Sequence, residues 1–425
     1  MKYLFRTKNA VLFTIFSLFF SFMSCLDAVC QTNLIYTTGH DVLLLNKAEL
    51  CKSVVVNGNQ ELIPIGGRKG KIKVTNLKSP EVCITFKDDV TDFSEVFKDC
   101  LSLKTIPANL FSKCQMASSF ASTFEGCEKL QSIPEGLFAN NPKATDFTST
   151  FFACISVDTI PEKIFANCPN AINFKATFLG SGIYSIPSGL FASNRKVVSF
   201  SHTFFGCPFL ESIPEGLFAH NPAVTDFDGC FSKCISLVFI PNKLFSNCSE
   251  VTRFFLTFEG CTSLRKIPSS LFANCLKASA FAATFENCTS LQFIPEDLFA
   301  NCPKVTVFSS AFYGCKSLLT LPANLFAHNP DAMIFDRIFN GCTSLKNIPP
   351  SLFDNNRKAV VFSYAFGRCE KLSGESPYTM VNGKKVHLYE RIFFPKHFTA
   401  PTEFYNVFAT CVDLADYDAM PMEWK

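Results

Sequence analysis

A cysteine recurs at a fixed step along this chain. Cys100, Cys127 and Cys154 stand 27 residues apart, as do Cys207, Cys234, Cys261, Cys288, Cys315, Cys342 and Cys369. Ser181 fills the intervening place, and its unit is one residue short, which leaves a step of 26 to Cys207. With the cysteine as position 0, the unit reads C-x-S-L-x-x-I-P-x-x-L-F-x-x-[C/N]-x-x-[V/A]-x-x-F-x-x-T-F-x-G, and ten full copies run from Cys100 to Arg368. Internal identity at a constant step specifies a stack of like units, each burying its apolar face against its neighbours.

Three positions of the unit are Phe in every copy: Phe111 to Phe353, Phe120 to Phe362, and Phe124 to Phe366, which account for 30 of the 50 phenylalanines. Stacking the units places ring on ring, and burying each ring contributes roughly 1.5–3 kcal/mol. Leu at position 3 and Ile at position 6 bracket a short extended stretch that ends at Pro, which has no N–H to continue a ladder. Proline also suits the first position of a helical turn, from which Leu352 and Phe353, for example, point inward. The second half repeats this pattern more weakly, as in Val305 to Phe308 followed by Phe312. The expected fold is an α/β solenoid, a leucine-rich-repeat-like right-handed coil of 27-residue units, each a short strand plus short helical turns, with β-rich caps.

Position 14 is Cys at Cys114, Cys168, Cys248, Cys275 and Cys302, but Asn at Asn141, Asn194, Asn221, Asn329 and Asn356. A disulfide needs a sulfur on both sides, so free interchange with Asn argues for a ladder of buried side chains bonded to backbone. Free, buried thiols are the expectation. Bridges between neighbouring position-0 cysteines are the alternative, since adjacent rungs lie about 4.8 Å apart and export permits oxidation.

The run Val-Thr-x-Phe-x-x-x-Phe-x-Gly-Cys-x-Ser-Leu-x-x-[Ile/Leu]-Pro, seen from Val305 to Pro322, resembles the repeat of the BspA-type leucine-rich-repeat surface proteins of bacteria. It covers about two-thirds of the chain, in units longer than is usual for that family. The resemblance implies a secreted or surface-anchored, non-enzymatic protein used for adhesion and for host or matrix contact.

The ends depart from the rhythm. Lys2, Arg6 and Lys8 precede an apolar run from Val11 to Met23, the charge order and length of a secretory signal and too short to span a bilayer. Cys25, after the small Ser24, resembles a bacterial lipoprotein cleavage site and would carry the lipid; cleavage nearby, after Ala28, is the alternative. Val54 to Asn59 and Gly70 to Val74 read as strands with an Asn-Gly turn, and Tyr378 to Tyr389 reads as a hairpin turning at Asn382-Gly383. Phe404, Phe408, Cys411, Leu414 and Tyr417 repeat half a unit. The expected organisation is a signal peptide at 1–24, a β-rich N-terminal cap at 25–92, the solenoid at 93–371, and a C-terminal cap with hairpin and half-unit at 372–425.

Little chemistry is in evidence. The formal charge is +3 with no long basic run, which gives nucleic acid no electrostatic support. The motifs H-E-x-x-H, G-x-S-x-G and the P-loop are missing. His220 and His328 occupy one variable position of the repeat, and the run Gly66 to Lys71 reads as a basic turn between strands. No cofactor and no metal site are expected, because the cysteines lack C-x-x-C pairing. Positions 4 and 5 face outward between the buried Leu and Ile, as Lys104 and Thr105 do early in the array. Later they become Val238 and Phe239, Arg265 and Lys266, Gln292 and Phe293, Leu319 and Thr320, the composition of a contact patch. The reading is an adhesin-like lipoprotein that binds extracellular protein or glycan and meets the membrane through its lipid anchor only, its oligomeric state unspecified. A passive surface spacer is the second reading and a surface-polymer-acting enzyme the third.

Overall fold

The computed structural model describes residues 33–57, 61–63 and 67–425. The signal segment, Cys25, the Gly58-Asn59 turn and Gly66 lie outside the described residues. At the N-terminal end, β1 (Asn33–Tyr36), β3 (Cys51–Val56), β4 (Glu61–Ile63) and β6 (Glu81–Phe86) form an antiparallel sheet ordered β4-β3-β6-β1, while β2 (Gly39–Leu45) pairs with β5 (Ile72–Leu77). The fifth strand of the larger sheet, β7 (Leu103–Thr105), belongs to the first repeat and pairs with β1. The cap is thus welded to the first rung through backbone hydrogen bonds.

The units then stack as parallel rungs. All thirty Phe of the three columns are buried, and rings of one column lie over one another at 5.4 Å for Phe147–Phe174, 5.6 Å for Phe258–Phe285 and 6.1 Å for Phe245–Phe272. Between columns the rings meet tilted, as at 4.7 Å for Phe272 and Phe254, the edge-against-face arrangement that aromatic quadrupoles favour. One hydrophobic core runs unbroken from Leu34 to Trp424.

Two expectations are corrected. The described residues include no α-helix; short 3-10 turns occur only at Ala48–Leu50, Leu388–Phe393 and Met422–Trp424, outside the repeats. Within a repeat the turns close between residues three apart, as Leu110 N–H to Pro107 O and Cys114 N–H to Phe111 O, or two apart, as Glu128 N–H to Gly126 O. In the second half of the unit the reason lies in where the other donors go. The N–H groups of Phe120, Ser122, Phe124 and Gly126 bond Asp146, Thr148, Thr150 and Phe152 on the next rung, so they are not available for helical bonding within their own unit.

The second correction concerns the two extended stretches. The half that looked weaker carries the continuous ladder: parallel bridges link Asp92, Ser119, Asp146, Asn173, Ser199, Asp226 and Arg253, and onward through Ala280, Val307, Ile334 and Val361 to Glu403. The Leu-to-Ile half is bridged only in pieces, Ser212–Phe239–Lys266 and Phe293–Thr320. Proline at position 7 ends that stretch after a few residues, whereas the segment through Phe120 and Phe124 continues its inter-rung bonds through tight turns. Those turns need a left-handed residue at position 26. It is Gly in most units, as at Gly314 (φ +69°), where an added Cβ would collide with Asn287 Oδ1.

At the C-terminal end, β8 (Tyr378–Val381) and β9 (Lys384–His387) form a hairpin turned by Asn382 and Gly383, both at positive φ. The N–H groups of Asn406 and Phe408 bond Glu423 and Trp424, and Phe408 stacks on Phe366 at 5.5 Å. The last rung therefore has its ladder donors covered by the final residues of the chain.

Phe258→Ala should cost about 3–5 kcal/mol, and the loss of hydrogen-exchange protection should centre on the rungs holding Phe231 and Phe285. Thermal melting together with exchange mapping checks both.

Candidate functional site

Hydrogen bonding orders the solenoid interior, and each polar position bonds the rung before it. The position-0 thiols of Cys127, Cys154, Cys207, Cys234, Cys261, Cys288, Cys315, Cys342 and Cys369 donate to the carbonyl of a third-column Phe one rung back, over 3.1–3.3 Å. Ser181 makes the same bond to Phe151 O at 3.0 Å. At position 14, Asn141, Asn194, Asn221, Asn329 and Asn356 each donate from Nδ2 to two carbonyls of the preceding rung, the nearer at 2.8–2.9 Å. Their Oδ1 atoms are buried and unpartnered, an expense that Cys avoids. Cys168, Cys248 and Cys302 make longer contacts of 3.7–3.9 Å to the equivalent Phe carbonyls, Cys114 donates to Lys87 O at 3.3 Å, and Cys275 is simply buried.

Sequence reasoning passed over two related features. Thr at position 23 forms its own ladder: Thr150 Oγ1 donates to Phe147 O and shares a second contact with Phe120 O one rung back, at 2.8 and 2.9 Å. The recurring T in the consensus was its signal. At the far end, Arg391 places Nη1 3.1 Å from Asn356 O and Nη2 2.8 Å from Phe353 O, the carbonyls that the next Asn would take if the array continued. No periodic signal marks that arginine.

Eighteen described cysteines are free thiols and buried; Cys83 is disulfide-bonded, a bond that fits an oxidising compartment. Burial pushes the Cys168, Cys248 and Cys302 thiols up to about 12, so the reactive thiolate is scarce at neutral pH.

The outward stripe is assembled in the structure. Phe239 (59% exposed) bridges to Lys266, and Phe293 (52% exposed) bridges to Thr320. Arg265 N–H bonds Val238 O, and Leu319 N–H bonds Gln292 O. Arg265, Lys266 and Gln292 are exposed, while Val238 and Leu319 are half-buried. Neither Arg265 nor Lys266 enters an ion pair among the described residues. Sequence reasoning missed a contact on the two units before the stripe, where Tyr184 and Phe209 lie ring against ring at 5.3 Å, both about half exposed.

Two titratable clusters lie elsewhere. Arg253 Nε is 2.7 Å from Asp228 Oδ2, yet burial, with Asp226 adding to it, pushes the Asp228 carboxyl up to about 6. In the C-terminal cap, Ser376 Oγ and Asp416 Oδ2 both face His387 Nδ1, at 2.9 and 3.2 Å. A Ser-His-Asp hydrolase needs the serine and the carboxylate on opposite ring nitrogens. The trio is instead a pin joining the hairpin to the terminal half-unit. A shallow groove is lined by Arg195, His220, Ser246, Asn247, Ser249 and Leu276, with no hydrogen bond joining His220 to either serine, and among the described residues no group of His, Cys, Asp and Glu could hold a metal. No described helix is long and apolar enough to cross a membrane.

Alkylation of the native chain at neutral pH should leave all eighteen described thiols unmodified, and denaturant should expose them together; mass spectrometry counts the adducts. Cys261→Ser should retain the native melting temperature within about 1 kcal/mol of stability, since Ser181 already serves at that position.

Comparison with known proteins places this geometry. No curated protein sequence matches. Among solved structures the chain is similar to the Drosophila Toll receptor in its Spatzle complex, at 17% identity and a TM-score of 0.37, over 73% of this chain and 45% of that one. The APL1 leucine-rich-repeat domain matches at 12% identity and a TM-score of 0.35, over 59% of this chain and 67% of that one. A leucine-rich cell surface protein from Faecalibacterium prausnitzii matches at 17% identity and a TM-score of 0.20, over 58% of this chain and 83% of that one. The chain spans about half the length of the first of these, and likenesses at such scores carry no argument about function. The family of the BspA type leucine-rich-repeat region, however, matches in six copies over the overlapping stretches 84–225 and 159–306, more than half of the 425 residues. The protein belongs to the BspA-type leucine-rich-repeat family.

Proposed function

We propose that this protein is a surface-displayed, non-enzymatic binding protein of adhesin type, which contacts extracellular protein or glycan through the stripe from Val238 to Thr320. One observation carries the reading: Phe239 and Phe293 hold more than half of their surface in water on rungs whose neighbouring cations, Arg265 and Lys266, have no ionic partner. An exposed ring is unfavourable by roughly 1.5–3 kcal/mol relative to burial, and thirty other phenylalanines of the same chain are buried in columns. Aromatic and arginine side chains together are the composition of binding hot spots. Membership of the family supports an exported, surface-located role, and the signal segment with Cys25 supports anchoring by lipid.

Substituting Glu for both Phe239 and Phe293 should reduce retention of the purified protein on a matrix-coated surface about tenfold or more while the melting temperature stays unchanged, because neither ring packs in the core. Undiminished retention would favour the passive spacer. Cys25→Ala should abolish incorporation of labelled fatty acid and release the protein from the membrane fraction; continued labelling would remove Cys25 as the anchor.

A further inference from the structure

We infer that the stripe is a binding track for an anionic linear polysaccharide, with Phe239 and Phe293 as platforms for pyranose rings and Arg265 and Lys266 between them as the site for a carboxylate or sulfate. The inference rests on the surface-binding reading and names its ligand class.

Charge is the first observation. Along positions 4 and 5 from Val238 to Asn347 the side chains include three cations, Arg265, Lys266 and Lys346, and no carboxylate. The units before them differ, with Asp158 and Glu211 at the same positions. All three cations are exposed and none enters an ion pair among the described residues. An uncompensated stripe of one sign draws a partner of the opposite sign.

Geometry is the second. Phe239, Lys266 and Phe293 occupy three successive rungs, about 4.8 Å apart, so ring, cation and ring alternate in single file. That step is close to the advance of one pyranose residue in a linear chain, which lets one sugar stack on each Phe while its neighbour's acid group meets Arg265 or Lys266. Tyr184 and Phe209, in contact at 5.3 Å, form a separate exposed aromatic pair on the two units before, Phe209 standing at position 2 and so outside this file.

The backbone supplies the third observation. Arg265 N–H, Leu319 N–H and Lys346 N–H bond the preceding rung, so these donors are not open to an extended peptide, and recognition at those positions falls to side chains. Protein interfaces gather hot spots at the centre of a broad patch. A track two side chains wide suits a chain polymer better.

The test measures binding of the full exported chain to four probes by calorimetry: hyaluronan decasaccharide, heparin decasaccharide, neutral maltodecaose and poly-glutamate. Hyaluronan or heparin should bind and weaken as salt is raised, the pair distinguishing carboxylate from sulfate recognition, while maltodecaose and poly-glutamate bind at least about tenfold more weakly. The Arg265→Glu, Lys266→Glu double variant and Phe239→Ala should each lower polysaccharide affinity about tenfold, with an unchanged melting temperature verifying the fold. Equal affinity for maltodecaose, tighter binding of poly-glutamate, or variants that bind as the parent does would overturn the inference. If no polysaccharide binds but glutamate at Phe239 and Phe293 still abolishes surface retention, the ligand class is wrong and the surface-binding reading survives; if retention also persists, both fall.

Discussion

Ring-on-ring contact between successive rungs is the interaction on which the rest of this molecule depends. A ring at Phe258 meets Phe231 and Phe285 at 5.7 and 5.6 Å, and every column repeats that contact along the whole array. The geometry constrains the spacing among the three rings of a unit and leaves room for a change in length in the extended stretch before the proline. The single deletion, after Ser181, falls in the extended stretch before Pro187 and leaves the Phe columns in register: Phe178 and Phe204 still stack at 5.7 Å.

Between the rings, the polar positions share one tendency: with Cys275 as an exception, their side chains donate to a carbonyl of the rung before. Cys and Ser are interchangeable at position 0, and Cys and Asn at position 14, because each presents a small donor at the same point. This explains how the chain carries so many cysteines in its array without pairing them. These sulfurs lie in the core, most of them with the hydrogen directed at a carbonyl, and burial holds them protonated. Cys83, outside the array, is the described cysteine that is oxidised.

Much of this was legible in the residues. Phenylalanine at three constant positions announces stacked columns, and Asn382-Gly383 announces its hairpin, because each signal is a local pattern with one physical meaning. The supposed helical turns were not legible. A Pro followed by Leu-Phe fits a helix start, but that turn closes only between residues three apart, as Leu110 N–H to Pro107 O; in the half that follows, the choice against helix is made by N–H groups bonding the next rung, as Phe120 to Asp146, a contact between residues 26 apart that no local pattern displays. The relative strength of the two ladders was obscured for the same reason. Of the outward stripe, the pairing of Phe239 with Lys266 follows from the period alone, whereas the contact of Tyr184 with Phe209 depends on the shortened unit and could not be read from spacing.

Aromatic stacking between adjacent rungs is open to direct measurement by double-mutant cycles. Phe258→Leu combined with Phe285→Leu, one rung apart, should show a coupling of about 0.5–1.5 kcal/mol. Phe124→Leu combined with Phe366→Leu, at opposite ends of the array, should show none beyond error. Equal coupling in the two cycles, or no coupling in either, would contradict the stacked-column account.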